Sequence, residues 1–266
     1  MRRALALGAL ALLAATAAVA SAQVTAPEPS RAEATRRWRE RRVGLFVHWG
    51  VASGRALPQS HSHARHSALN PSGSVPAETY DQYYKEFNPT AYDPDAWLKL
   101  AHDAGMRFDG IEPVGPERWK DTPARVAAML HELQPGIMLS NHGGGPEDFV
   151  SFEMMVGPFD RVQPWEMTEP INPSGWVFNQ PMPTRPFREL LRHLVYTVSR
   201  DGNYLLDVGP MPDGRLYPPD AERLAELAQW MKANAEGIHG TRGGPYRDGD
   251  WGGATCRDRS ARDRRG

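Results

Sequence analysis

The alternation of helix, strand and helix in the last third of the chain constrains the fold most. Residues 187–198 carry apolar side chains at helical spacing, and residues 218–235 do so again, with Leu224 and Met231 on one face. Between these segments, residues 204–208 form a short apolar run that a Gly-Pro break and a Pro-Asp-Gly turn end abruptly. Helix, buried strand and helix in this order predict an α/β fold.

The composition excludes several classes of partner. The 266 residues carry a formal net charge of −1, so the chain has neither the basic nor the acidic field that would hold a nucleic acid or a membrane surface. Its single cysteine, Cys256, cannot form an internal disulfide. Stability must therefore come from packing of the core.

The first residues predict a secretory signal peptide over 1–22. Arg2 and Arg3 precede an unbroken apolar run over residues 4–20, and small residues follow at the expected cleavage point. An uncleaved membrane anchor is the alternative, because the run is near the lower length limit for a spanning helix. Cleavage predicts a secreted or periplasmic protein with no membrane span after the signal is removed.

The start of the mature chain predicts a helix followed by a strand. Residues 23–42 form a Pro-rich lead-in and a basic helix, with Ser30 as its N-cap. Residues 43–50 are an apolar strand that ends in His48-Trp49-Gly. In an α/β barrel the carboxyl ends of the strands face the active-site mouth, so His48 is placed where it can bind a ligand hydroxyl. The alternative is a histidine held by a backbone partner at a strand end.

Further helices and strands follow in the middle of the chain. The aromatic residues of 76–87 recur at i, i+3, i+4 and i+7, which predicts a helix with its stripe in the core. Asp93 is the predicted N-cap of a helix that ends at Gly105. Residues 143–180 are loop-like, and residues 257–266 are predicted to be disordered. The strand-like segments lie near Phe46, Phe108, Met138, Trp165 and Leu206.

A cluster of histidines raises the question of a metal site. His61, His63 and His66 lie in a polar loop over residues 53–74. Zinc needs about four ligands, and this loop offers neither a histidine pair at helical spacing nor a nearby cysteine. A loop at the mouth of the fold is favoured over a metal site, and no cofactor is predicted.

Several of these segments resemble the α-L-fucosidases, glycoside hydrolase family 29. The segments that carry the resemblance are residues 199–214, 229–241, 46–50 and 75–106. The resemblance implies an incomplete (β/α)8 TIM-like barrel over 43–245, followed by a disordered or frame-shifted tail over 246–266. It implies no metal and no cofactor.

The chain departs from the family pattern at Met106. There the family continues into a Lys-His-His-Asp-Gly-Phe motif whose histidines bind the sugar, and this chain runs directly to Asp109 instead. The aromatic and acidic Glu-Trp-Tyr segment of the family is also missing. The family's barrel is followed by a β-sandwich domain, whereas here the composition changes abruptly after Cys256. We therefore expect an internally deleted and C-terminally truncated member.

The resemblance also implies a chemistry, which is retaining hydrolysis of terminal α-L-fucose from glycoconjugates or small fucosides through a covalent fucosyl-enzyme intermediate. Asp109 matches the nucleophile, Glu153 is the preferred acid/base, and Glu166 is the second choice. Without the resemblance, Asp109 is a turn aspartate and both glutamates are solvated loop carboxylates. The residues implied to contact the sugar are His48, Trp49, Asn141, Trp165 and Trp176.

Two other classes of function stay open. A catalytically dead, fucosidase-like glycan-binding protein would explain the missing histidine motif. A non-functional fragment would explain why about five strand-like segments are found where a closed barrel needs eight.

Overall fold

The computed structural model describes residues 30–55, 66, 73–110, 128, 130–132, 134, 136–140, 147–179 and 183–257, with Asp109 and Gly110 described by their backbone alone. The predicted signal peptide, His61, His63, Asn141 and residues 258–266 lie outside these ranges. Among the helices of the described ranges, none combines the length and apolar character needed to cross a bilayer.

A parallel five-stranded sheet forms the centre of the fold. Its strands are β1 (Val43–Val47), β2 (Asp109–Gly110), β3 (Val150–Glu153), β4 (Trp165–Pro170) and β5 (Asn203–Val208). Their spatial order is β2-β1-β5-β4-β3, and every pair is parallel. The prediction of an α/β fold is confirmed.

The order of the strands places the end of the chain against its beginning. The last strand of the sheet, β5, pairs with the first, β1, and brings Leu206 beside Leu45. On either side the strands follow chain order, and beyond β3 a parallel bridge joins Ser140 to Phe149. In a (β/α)8 barrel, likewise, consecutive strands are neighbours and the last strand pairs with the first. In the described part of the chain, however, β2 and β3 do not pair with each other, so the sheet is open there.

Two layers of residues alternate along the strands. One face of the sheet packs against α4 (Phe187–Ser199) and α5 (Pro218–Ile238). Its strand residues in this core are Val43, Trp165, Met167, Tyr204, Leu206 and Val208. The intervening residues give the opposite face a polar character, with buried Glu166, Thr168, Asn203 and Asp207.

Two helices begin at the capping residues that the sequence indicates. Ser30 caps α1 (Arg31–Arg41) by accepting from the Glu33 backbone N–H, and Asp93 caps α3 (Pro94–Asp103) in the same way. The two caps are confirmed. Gly105, just beyond α3, has a φ of +79°, a conformation that glycine adopts without strain.

The first helix closes the amino end of the polar face. Trp38 of α1 stacks on Phe149 with ring centroids 4.5 Å apart and lies 6.2 Å from Phe108. Its carbonyl oxygen accepts a hydrogen bond of 2.8 Å from Asn203 Nδ2. The basic helix is therefore anchored under the sheet through its one tryptophan, while most of its arginines stay outside.

Three segments differ from the sequence-based expectation. Residues 76–87 form only α2 (Ala77–Tyr80) and a 3₁₀ turn (Tyr83–Lys85), because Tyr80 and Tyr83 pack on the small cluster of Ala52 and Val75 rather than on the main core. Within the predicted loop at 143–180, residues 150–153 form β3 by pairing with β4. In the predicted tail, β7 (Thr255–Arg257) pairs with β6 (Thr241–Gly243) as an antiparallel ribbon.

Candidate active site

A buried histidine–carboxylate pair lies at the carboxyl edge of the sheet. His48 follows the last residue of β1, and its backbone N–H donates to Val208 O at 3.1 Å, which fixes its position against β5. Asp207 of β5 presents Oδ1 to His48 Nδ1 at 2.7 Å. Both side chains are buried. A buried carboxylate at this distance is a strong acceptor for an imidazole N–H.

Aromatic rings surround the imidazole. The Phe46 ring centroid lies 4.3 Å from that of His48 in an edge-on arrangement, and the half-buried Trp176 ring lies 5.2 Å away on the loop after β4. An indole beside a polar pair is a surface that can receive the apolar face of a sugar ring while the histidine binds a hydroxyl. The structure thus brings together two of the predicted sugar-contacting residues, His48 and Trp176.

A second buried carboxyl group lies close enough to Asp207 to feel its charge. Asp220, in the first turn of α5, is 1% exposed and accepts a hydrogen bond from Thr184 Oγ1 at 3.4 Å. Burial raises the pKa of Asp220 to about 7, Thr184 opposes this, and the nearby charge of Asp207 adds to it. Asp220 therefore holds its proton up to nearly neutral pH.

The two preferred catalytic carboxylates belong to opposite edge strands. Asp109 lies in β2, in register with Leu45, and Glu153 ends β3, in register with Thr168. Four strand spacings of about 4.8 Å separate these edges, or roughly 19 Å measured along the sheet. A retaining pair needs its carboxyl groups about 5 to 5.5 Å apart. Only strong curvature of the sheet towards closure would bring the two residues that close.

Glu166 has a perturbed pKa but lies at the other end of its strand. It is the second residue of β4, in register with Asn203, four residues before Pro170 and so about 13 Å along the strand from the level of Asp207. Burial raises the pKa of Glu166 to about 8, although Ser151 Oγ donates to its carboxyl at 3.1 Å and lowers it. Glu166 is therefore a buried carboxyl group with a raised pKa, and it lies away from the carboxyl edge of the sheet.

Two of the remaining predicted contacts, Trp49 and Trp165, pack away from the His48 imidazole. Trp49 donates from Nε1 to Met211 O at 2.9 Å, and its ring packs with Phe87, Tyr92 and Trp97. Trp165 is 1% exposed in the helix-facing core, which leaves its ring no surface for a sugar. Asn141 lies outside the described residues.

Two acidic residues of this region escaped sequence reasoning. Asp207 interrupts the apolar run of β5, and a carboxylate in a buried strand one residue from its carboxyl end is a signal that could have identified it. Asp220 follows two prolines at a helix start, where an acidic residue is ordinarily a first-turn charge, so nothing in the sequence marks it as buried.

The described residues contain no cluster suited to a metal ion, because no three of their histidine, cysteine, aspartate and glutamate side chains converge. Of the three loop histidines, His66 alone is described, and its backbone N–H donates to Val75 O at 2.7 Å.

Comparison with known proteins points to one family. The family model for alpha-L-fucosidase matches residues 11–114 and 110–236. Tissue alpha-L-fucosidase of Macaca fascicularis is 37% identical over 132 residues, which are 48% of this chain and 27% of that protein. Plasma alpha-L-fucosidase of Homo sapiens is 34% identical over 127 residues, 46% of this chain and 26% of that protein. The chain thus spans about a quarter of the length of the curated relatives it matches.

Solved structures extend the likeness over more of the chain. Alpha-L-fucosidase isoenzyme 1 from Paenibacillus thiaminolyticus superimposes with a TM-score of 0.70 at 20% identity, over 85% of this chain and 82% of that one. A GH29 alpha-L-fucosidase from Bacteroides thetaiotaomicron, trapped as a covalent intermediate, gives 0.69 at 15% identity over 88% and 82%. These likenesses establish a shared fold. Because the family model spans most of the sequence as well, the chain belongs to the α-L-fucosidase family.

Proposed function

We propose that the mature chain is a secreted glycoside hydrolase that removes terminal α-L-fucose from a glycoconjugate or a small fucoside. The observation that carries the proposal is the buried His48–Asp207 pair beside Trp176 at the carboxyl edge of a parallel sheet. This is the edge at which α/β enzymes of this kind place their active sites. Family membership supplies the substrate class, and the signal-like first 22 residues support export.

The proposed mechanism is a double displacement. Asp109 attacks the anomeric carbon of fucose, the bond to the leaving oxygen breaks, and Glu153 gives that oxygen its proton. Glu153 then takes a proton from water, the water oxygen bonds to the anomeric carbon, and Asp109 leaves as a carboxylate. The covalent intermediate trapped in the Bacteroides relative supports this course. His48 binds a sugar hydroxyl, and Trp176 covers the apolar side of the ring.

The proposed fold for this chemistry is an incomplete (β/α)8 barrel. The pairing of β5 with β1 and the likeness to solved fucosidases support it. In such a barrel the edges that carry Asp109 and Glu153 curve towards each other, and the separation measured along the sheet overstates the distance through space.

Glycan binding without cleavage is the second candidate function. The observation that favours it is the position of Asp109 and Glu153 on opposite edge strands. His48, Asp207 and Trp176, by contrast, already lie together. On this hypothesis the site recognises fucose and performs no chemistry.

Hydrolysis of 4-nitrophenyl α-L-fucoside by the purified full chain tests the proposal, with L-fucose binding followed by calorimetry on the same sample. Turnover that Asp109→Asn abolishes, and that Glu153→Gln lowers far more than Glu166→Gln, supports the hydrolase. Fucose binding without turnover supports the binding protein. A sample that binds no fucose and unfolds without a cooperative transition rejects both functions.

A further inference from the structure

The pair formed by His48 and Asp207 joins two strands that are fixed independently of it. β1 and β5 pair in parallel from Val43 beside Tyr204 to Val47 beside Val208. The strand register thus sets the separation of the two side chains before either forms its hydrogen bond. The imidazole is further confined by the rings of Phe46 and Trp176. The 2.7 Å distance between His48 Nδ1 and Asp207 Oδ1 is therefore held by the pairing of the two strands.

We propose that Asp207 is the positioning residue for His48, holding the imidazole proton on Nδ1 and the ring in place against Trp176. The carboxylate is an acceptor only, so the ring nitrogen that faces it must carry hydrogen. When the ring is neutral, its lone pair then belongs to Nε2, the nitrogen that can accept a hydrogen bond. On the proposed function, the tautomer of His48 decides whether the ring accepts a hydrogen bond from a sugar hydroxyl or donates one to it. Only this sugar contact rests on the proposed function.

The buried carboxyl group of Asp220 supports this arrangement. Asp220 on α5 is the neighbouring acid, and burial keeps its proton on up to a pH of about 7. A neutral Asp220 removes the like charge that would oppose ionisation of Asp207. Negative charge is therefore concentrated at the carboxylate that faces His48. Removing only the charge of such an orienting carboxylate is known to leave geometry intact while selecting the wrong histidine tautomer.

Nitrogen NMR of the full chain labelled with ¹⁵N-histidine tests the proposal without substrate. The His48 signals are identified as those lost in His48→Gln. In the wild type we expect the pattern of a ring protonated on Nδ1, and this measurement alone overturns the proposal if the ring carries its proton only on Nε2. In Asp207→Asn the amide can donate to Nδ1, and we expect the Nδ1-protonated form to fall from the major to the minor species.

Matched variants separate positioning from general structural damage. Asp213→Asn removes a partly exposed carboxylate that follows the same strand and pairs with Arg215, and it should leave the His48 signals unchanged. Asp207→Glu keeps a carboxylate and should restore part of the Nδ1-protonated population. An unchanged His48 spectrum in Asp207→Asn overturns the proposal. If fucoside turnover is absent while the wild-type tautomer is as expected, the proposed function fails and the positioning role of Asp207 stands.

Turnover, where present, gives a second and independent reading. We expect Asp207→Asn to lower kcat/KM by about tenfold or more, with KM rising because the hydroxyl contact is weakened in the bound ground state as well. A variant with unchanged KM and kcat would overturn the link between the histidine tautomer and sugar binding.

Discussion

The two ends of the β1–β5 strand pair each join a nitrogen side chain to a buried aspartate, in different surroundings. At the amino end, Arg42 donates to Asp201 Oδ1 at 2.7 Å, and at the carboxyl end His48 meets Asp207 at the same distance. Arg42 also donates to the carbonyl oxygens of Gly202 and Thr241. The Arg42–Asp201 pair is thus enclosed by backbone groups. The His48–Asp207 pair instead lies beside two aromatic rings, those of Phe46 and the half-buried Trp176.

At the amino end, the hydrogen bonds around Arg42 and Asp201 hold an uncommon backbone conformation. Arg42 and Asp201 both have positive φ angles, of 61° and 75°, which are uncommon for residues other than glycine. Asp201 also accepts from Arg242 and from the Gly243 N–H. Although burial raises the pKa of Asp201, these hydrogen bonds and the charge of Arg42 hold it below its ordinary value. The amino end therefore serves stability, which leaves the carboxyl end available for function.

The largest expected effect comes from breaking the amino-end pair. Asp201→Asn keeps a side chain that tolerates a positive φ but leaves the Arg42 guanidinium buried without its counter-charge. We expect a loss of about 3–5 kcal/mol in the free energy of unfolding, because arginine cannot shed its proton to escape. Urea denaturation of the full chain at neutral pH measures it.

The same substitution at the other end provides the control. Asp207→Asn should lower the free energy of unfolding by only about 1–2 kcal/mol, because an imidazole, unlike a guanidinium, can stay neutral and leave no buried charge unpaired. Equal losses for Asp201→Asn and Asp207→Asn would mean that the two ends do not differ as argued.

A buried acid near the amino end of the sheet should have the opposite effect on stability. Burial raises the pKa of Glu166 from 4.5 to about 8, so from about pH 4.5 upwards the unfolded chain loses a proton that the folded chain retains. The folded state is therefore progressively destabilised between these pH values. Glu166→Gln should remove this penalty and stabilise the protein by up to about 3 kcal/mol at pH 7.

Unfolding midpoints of the wild type and Glu166→Gln across a pH series test this sign. The two proteins should be about equally stable near pH 4.5, and their difference should grow as the pH rises to 8. A difference that shrinks over this interval would show that Glu166 is ionised in the folded protein.

Much of the fold could be predicted from the sequence, because its signals are local. The strand at 204–208 is bounded by turn residues and flanked by amphipathic helices, and the caps of Ser30 and Asp93 are short-range patterns. The pairing of Arg42 with Asp201, by contrast, joins residues 159 positions apart. No local pattern marks an arginine for burial, since charged side chains are ordinarily exposed.

The site was predictable only in part for the same reason. His48 and Trp176 were identified through a family pattern, and the structure brings them together. Trp165 was placed at the site by the same pattern, but the alternation of β4 turns its ring into the helix-facing core. Strand alternation depends on register, which is set by pairing with β3 and β5 and not by the strand alone.

Two glycines sharpen the contrast at a smaller scale. A Cβ on Gly209, just after β5, would lie 2.5 Å from the Phe178 backbone N and 2.9 Å from Trp176 O. We expect Gly209→Ala to lower the free energy of unfolding by about 1–3 kcal/mol and to push the Trp176 loop away from His48, which should weaken the proposed binding of fucose. A Cβ on Gly243 would lie 2.5 Å from the Asp201 backbone N. Gly243→Ala should therefore cost a similar amount while fucose affinity, measured by calorimetry, stays within twofold.

If both variants weakened fucose binding equally, the two ends would be coupled through the strands, and the division between a stabilising end and a functional end would fail. Thermal unfolding of each sample at the binding temperature separates this outcome from simple loss of folded protein.

The smallest expected effect is the gain in stability from replacing Gly237, at the end of α5, by alanine. Gly237 lies in the last turn of α5, and a Cβ there would meet nothing within 4 Å. Alanine restricts the unfolded chain more than glycine does and has the higher helix propensity, so Gly237→Ala should stabilise by about 0.5–1 kcal/mol. The carbonyl of Gly237 accepts from Thr255 Oγ1 at 2.7 Å, a bond that the methyl group leaves in place. A loss of stability in urea denaturation would mean that the end of α5 needs glycine to reach the ribbon of β6 and β7.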